Sequence, residues 1–236
     1  MKYVILDIQA PRDAVASLES MGFHPIFLPP FSALPTPVAS HPDMLIFLGA
    51  ELYCHRDYIE LAREELELIS GITGLSLAPT DEFIGNEYPH DVLFNGFCAG
   101  NILFGKLANL SHKLTDCFEH KVDLRQGYAK CSTCKVTDRA FITADPSIKK
   151  ALLAQGFDVL EICPGHVSLP GYEYGFIGGA SGSDSERVYF CGSLETHPCG
   201  QAIAEFCKSH GKEAVSLINA PLYDVGTMIF IENQGE

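Results

Sequence analysis

The chain is predicted to be one α/β domain, residues 1–236, built from five copies of a strand–strand–helix–strand unit arranged as a five-fold pseudosymmetric ring. Three observations predict this. Helical stretches repeatedly stop at a glycine followed by an apolar, strand-forming run. A short strand of recurring character follows each return at a regular step. Hydrophobic residues make up 47% of the chain and charged residues 19%, enough to build a core from 236 residues.

In chain order, Met1–Asp7 reads as a strand, and Asp13–Met21 as a helix stopped by Gly22 before the strand Pro25–Leu28. Pro29 through Pro37 reads as a surface loop. Ile59–Ser70 is a helix ended by Gly71, and Leu114–His120 a shorter, poorer one. Ser147–Gln155 stops at Gly156 and leads into Val159–Ile162. Gln201–His210 stops at Gly211 and leads into Ala214–Ile218. Five further segments read as the recurring strand: His41–Phe47, His90–Asn95, Ala129–Cys134, Tyr174–Gly179 and Tyr223–Met228. Taking Asp43, Asp91, Lys130, Gly175 and Asp224 as equivalent gives steps of 48, 39, 45 and 49 residues. Hairpin partners follow at Leu103–Phe104, Ala140–Thr143 and Val188–Phe190. One such unit cannot bury its own apolar face, so the copies must stack on one another; a closed arrangement leaves no free edge.

The formal charge is −14, and Lys and Arg do not cluster. Nucleic acid and anionic membrane surfaces are disfavoured as partners; a cationic small molecule suits the charge. No run reaches the length of a membrane span, and the start is too short for a signal peptide. The nine cysteines are therefore expected as thiols in the cytoplasm.

Five units of this kind resemble the pentein fold, whose members include arginine and agmatine deiminases, dimethylarginine hydrolase, amidinotransferases and the non-catalytic translation initiation factor six. The segments Gly127–Cys134 and Gly171–Gly179 also resemble an uncharacterised bacterial branch of that fold. The pentein enzymes carry their nucleophile in a Gly-x-x-basic-Cys-x-Thr form, which Gly127–Thr133 matches. They carry a histidine and an acid in a His-x-Asp segment before an apolar strand, which His41–Phe47 matches. Tyr223–Gly226 is a looser counterpart of a further acid before glycines. The resemblance implies Cys131 as nucleophile, His41 as general acid and base, and Asp43 and Asp224 as carboxylates for a guanidinium. It departs in one respect: the enzymes' cysteine lies in the last unit, whereas Cys131 lies in the third, and the last unit has Gly226-Thr227 instead.

That chemistry needs a thiolate to attack the planar guanidine carbon. Histidine protonates the leaving amine and then deprotonates water, and carboxylates hold the guanidinium through charge-assisted bonds. Lys130, next to the nucleophile, is expected on the opposite face of a strand. His166 and Cys98 are the second choices for acid/base and nucleophile. Cys131 and Cys134 also form a Cys-x-x-Cys. No helix follows to make it a redox motif, and Cys191, His197 and Cys199 would complete a metal site only with a non-standard spacing. No cofactor or metal is expected. Two functions remain open: a cysteine-dependent hydrolase or transferase of guanidino or amidine compounds, or a non-catalytic binding protein.

Overall fold

A computed structural model describes residues 1–232. The first sheet starts with β1 (Lys2–Asp7), crosses through α1 (Arg12–Ser20) and returns as β2 (Phe23–Leu28), parallel to β1. After a Pro-rich loop, the short helix α2 (Pro42–Leu45) leads into β3 (Ile46–Leu48), β4 (Leu52–His55), the helices α3 (Arg56–Leu61) and α4 (Arg63–Thr73), and β5 (Leu77–Thr80). Then come β6 (Phe97–Ala99), β7 (Ile102–Gly105), α5 (His112–Thr115) and β8 (His120–Asp123). The next set is β9 (Thr133–Lys135), β10 (Ala140–Thr143), α6 (Pro146–Ala154) and β11 (Asp158–Glu161). A small strand β12 (Val167–Ser168) precedes β13 (Ser181–Ser183), β14 (Arg187–Phe190), α7 (Gly200–Ser209) and β15 (Glu213–Ser216). The chain ends with β16 (Leu222–Tyr223) and β17 (Ile229–Glu232).

These strands form five three-stranded sheets of one topology. The middle strand pairs antiparallel with the first and, across a helical crossover, parallel with the third. In the sheet containing β1 the first strand is supplied from the far end of the chain: β17 pairs antiparallel with β1, from Lys2–Glu232 to Ile5–Ile229. A two-stranded sheet, β12 with β16, stands apart from the five.

Local chemistry explains the crossovers. Asp145 caps α6, accepting the amides of Ser147 (2.7 Å) and Ile148 (3.0 Å), with Pro146 at the first helical position. Ile148 and Leu152, one turn apart, are buried, as are Ile203 and Cys207 on α7. The glycines after α1, α6 and α7 take positive φ of 88°, 76° and 76°, as helix stops do. The helix predicted as Ile59–Ser70 instead begins earlier, breaks at Ala62 and runs through Gly71 to a left-handed Gly74. That predicted at Leu114–His120 shrinks to α5, and His120 opens β8.

The five recurring segments read as strands are mostly turns that precede one. His41–Phe47 contains α2. Ala129–Ser132 is a helical turn, in which the Ser132 amide bonds the Tyr128 carbonyl at 3.0 Å and the Thr133 hydroxyl bonds the Ala129 carbonyl at 2.8 Å. The other three are likewise irregular before β6, β13 and β17, apart from Tyr223, which closes β16. Asp43 and Lys130 stand at one offset from the strands that follow; Asp91, Gly175 and Asp224 stand further ahead. Short apolar runs fit a buried turn as well as a strand, and here the backbone groups bond to neighbouring turns. Asp43 N–H bonds the Gly226 carbonyl (3.0 Å), Thr227 N–H the Gly179 carbonyl (2.9 Å) and Gly179 N–H the Cys131 carbonyl (2.9 Å). Lys130 N–H bonds the Asn95 side-chain oxygen (2.9 Å), and the Asn95 amide group returns to the Asp43 carbonyl (3.2 Å). The bonds pass through all five turns and come back to their start.

Candidate active site

Four side chains named from the sequence meet where those turns converge. The Cys131 thiol donates to Asp43 Oδ2 at 3.1 Å, and the Asn95 amide group donates to the Cys131 sulfur at 3.0 Å. Thr227 Oγ1 donates to Asp43 Oδ2 at 2.7 Å, with the Gly178 carbonyl at 3.1 Å as a second acceptor. Thr227 holds this place at φ 68°, an outlying conformation for a β-branched residue and one that needs its surroundings to impose it. His41 sits between two carboxylates, its Nε2 3.4 Å from Asp7 and its Nδ1 3.8 Å from Asp224. Asp224 is fixed by the amides of Phe176 (2.8 Å) and Gly226 (3.0 Å). Gly226, at φ 66°, lies against His41 so closely that any Cβ would strike the ring.

Burial governs the charges. Cys131, His41, Asp43 and Asp224 are all at most 4% exposed. The Cys131 thiol is pushed well above its ordinary value by burial and by the carboxylates of Asp43 and Asp224, so it rests protonated. The Asp224 carboxyl is pushed up to about 6 by burial; His41 opposes the rise and Asp43 adds to it. Burial lowers the Lys130 ammonium, with Asp43 pulling the other way.

Cys131, His41 and Asp224 line one cavity of about 220 Å³, together with Tyr128, Glu173 and Phe176. Tyr128 is held by its hydroxyl on Asp91 (2.6 Å). Asp43 is among the residues that line a second cavity of about 230 Å³, with Lys130 and Cys98. Asp224 lines the cavity of Cys131, and Asp43 Oδ2 is engaged by the thiol and by Thr227. Lys130 extends from a turn rather than a strand, and its ammonium lies 3.4 Å from Thr227, the residue that also donates to Asp43 Oδ2.

The second-choice residues lie elsewhere: Cys98 on β6 borders the Lys130 cavity, and His166 stands beside His197, away from Cys131. Cys131 precedes β9 and Cys134 lies within it; the latter is buried among sheet residues with Val136 and Ile142. Sequence reasoning missed Asn95, Thr227 and Asp7. Each is a lone polar residue in an apolar stretch, and only the buried, fully partnered position marks it.

The fold has solved relatives. At a TM-score of 0.55 and 13% identity, with 91% of each chain covered, it is similar to a dimethylarginine dimethylaminohydrolase in an adduct with S-methyl-L-thiocitrulline. An agmatine deiminase of C. jejuni matches at 0.53 and 10% identity, covering 91% of this chain and 87% of that one. An amidinotransferase of Microseira wollei from saxitoxin biosynthesis matches at 0.54 and 10% identity, covering 94% and 79%. These are all penteins, and the present chain is a pentein-fold α/β protein. Within that class it belongs to the family of unknown function DUF6873, whose model matches residues 5–229. No curated protein matches the sequence. Among the described residues no helix is long and apolar enough to cross a membrane.

Proposed function

We propose that this protein is a cysteine-dependent hydrolase or transferase of a small guanidino or amidine compound, acting as one domain whose five sheets close into a pseudo-fivefold ring. The ring reading is supported by the shared topology of the sheets, by the contacts of β13 with both β9 and β17, and by the returning hydrogen bonds of the five turns. The functional reading rests on one observation: Cys131, His41 and Asp224 line one small cavity walled by aromatic residues and acids.

A planar cation in that cavity would meet Asp224 and Glu173 as counter-charges and Tyr128 and Phe176 as π faces. Its charge would reverse the balance that keeps Cys131 protonated, so the ligand itself would help generate the thiolate. The thiol proton has an acceptor in Asp43 Oδ2. The sulfur then adds to the guanidine or amidine carbon. His41 protonates the departing amine, and in a hydrolase it afterwards takes a proton from the water that cleaves the thioester-like adduct. A transferase would pass the carbon to another amine at that point.

A binding protein without catalysis is the second reading, favoured by the depth of Cys131 and the two carboxylates that hold its proton. Two alkylating reagents separate them. Iodoacetamide is neutral; chloroacetamidine carries a planar cation on a comparable electrophile. The enzyme reading expects chloroacetamidine to label Cys131 at near-neutral pH far faster than it labels exposed Cys117, with iodoacetamide slow at Cys131. Equal sluggishness of both reagents at Cys131 would establish the binding protein. Assays for ammonia or amine release from arginine, agmatine and methylated arginines, with Cys131→Ser as control, then identify the substrate class.

A further inference from the structure

Away from this cavity, three potential metal ligands come together at the join between two sheets. Cys163 follows β11. His197 and Cys199 lie between a short 3-10 turn (Leu194–Thr196) and the start of α7. Their ligand atoms all lie within 4.8 Å of one another, the one such group of three among the described residues. The sulfurs of Cys163 and Cys199 are 3.0 Å apart, and the amide of Cys163 donates to the Cys199 sulfur at 3.3 Å.

We propose that Cys163, His197 and Cys199 bind a zinc-like divalent cation that ties the end of β11 to the start of α7.

Two thiolates and an imidazole are a borderline-soft donor set, of the kind that selects zinc over calcium or magnesium. His197 is the observation that favours a metal over a simple pair of thiols. It is 4% exposed, and its Nε2 has no partner among the described residues. Its Nδ1 accepts the Cys199 amide at 3.0 Å, so in that tautomer Nε2 carries a buried proton with nothing to receive it. Such an orphan is unfavourable, because its lost hydration is not replaced. With the proton moved to Nδ1, the Cys199 amide bond is given up and Nε2 becomes a free lone pair. A disulfide between the cysteines would leave that nitrogen as it is; a metal would take its lone pair in exchange for the Cys199 amide bond.

The geometry asks for one adjustment. Two sulfurs on a tetrahedral zinc stand roughly 3.8 Å apart, so the pair must separate slightly. Neither side chain is fully buried, which leaves room for that. His166 stands edge-on to His197, ring centroids 5.5 Å apart, in a left-handed conformation at φ 62°. It places a second imidazole beside the cluster, available for a fourth position. The consequence is mechanical. The loop that leaves Cys163 carries Leu169, Glu173 and Phe176 into the wall of the Cys131 cavity, so the metal would hold the base of that wall. Binding releases the thiol protons to solvent, one per thiolate formed.

The test uses the full chain, reduced with a phosphine and stripped by a chelator. Adding cobalt(II) is expected to give a thiolate-to-metal charge-transfer band and intense tetrahedral visible bands, and zinc is expected to displace cobalt at one equivalent per chain. The double variant Cys163→Ser, Cys199→Ser and the variant His197→Gln should lose that equivalent and the charge-transfer band. Cys131→Ala and Cys117→Ala should retain both. Circular dichroism checks that each variant folds. A parent protein that takes up no stoichiometric metal overturns the proposal, as does one whose metal survives the double serine variant. So does a Cys163–Cys199 disulfide in unreduced protein that binds no metal after reduction. None of these results bears on labelling at Cys131, so the two proposals fail separately.

Discussion

Asp224 is a carboxyl whose charge the fold opposes. Its value rises from 3.8 to about 6, so between those limits the folded state holds a proton that the unfolded chain has released. Stability from this group is then present at low pH and lost as pH climbs through about 6. The difference in unfolding free energy between the parent and Asp224→Asn should fall by up to about 3 kcal/mol from pH 4 to pH 7, measured by denaturant titration at each pH. A guanidinium ligand should show the opposite trend, binding more tightly as Asp224 ionises. Asn95 is the other decisive side chain. It serves the sulfur of Cys131, the amide of Lys130 and the carbonyl of Asp43 at once. Asn95→Ala strands several buried groups and should cost about 2–4 kcal/mol, read from the shift in chemical unfolding. Cys131, His41 and Asp224 were legible because each falls in a short motif that a known chemistry uses. Asn95 and Thr227 were not, because their meaning lies in partners far off in sequence; Thr227 and Asp43 are separated by 184 positions.

At the scale of single elements, glycines divide into two kinds. Gly22 ends α1 at positive φ with open space around it, whereas a Cβ on Gly178 would lie 2.5 Å from the carbonyl oxygens of Lys130, Cys131 and Thr133. Gly22→Ala should therefore cost about 1 kcal/mol, the strain of the left-handed conformation alone. Gly178→Ala forces two turns apart and should cost about 3 kcal/mol or more; thermal unfolding of the two variants side by side checks the contrast. The glycine stops at Gly22, Gly156 and Gly211 were readable because a helix end needs that conformation locally. Gly71 misled because it sits inside α4 with nothing near it, and the true stop is Gly74. The inner turns misled because their apolar residues pack into the core from either conformation. The choice between strand and turn was made by hydrogen bonds to neighbouring turns, a tertiary effect that no local pattern carries.

For the molecule as a whole, the informative fact is that β17 does for β1 what a tight hairpin does in the other sheets. In the sheet of β9 and β10 the connection passes through exposed Asp138 and Arg139. A circular permutant that joins the present ends by a short linker and opens the chain at Asp138 would give that sheet the same split construction. It should fold with near-parental stability and keep the reactivity of Cys131, compared by calorimetry and by alkylation rate. The repeat step made five units legible, but the sharing of one sheet between the two ends was not, since it follows from pairing and not from spacing.

That split sheet also has a consequence for synthesis. β17 emerges more than 200 residues after β1, an interval on the order of 10–40 s at about 5–20 residues per second. Throughout it, β1 has one edge unpaired, open to pairing with other chains. Asp7, at the end of β1, reaches His41 through the same strand. Nascent chains stalled before β17 are thus the form most exposed to aggregation, and Asp7, the partner of His41, lies on the strand left half-paired until β17 arrives.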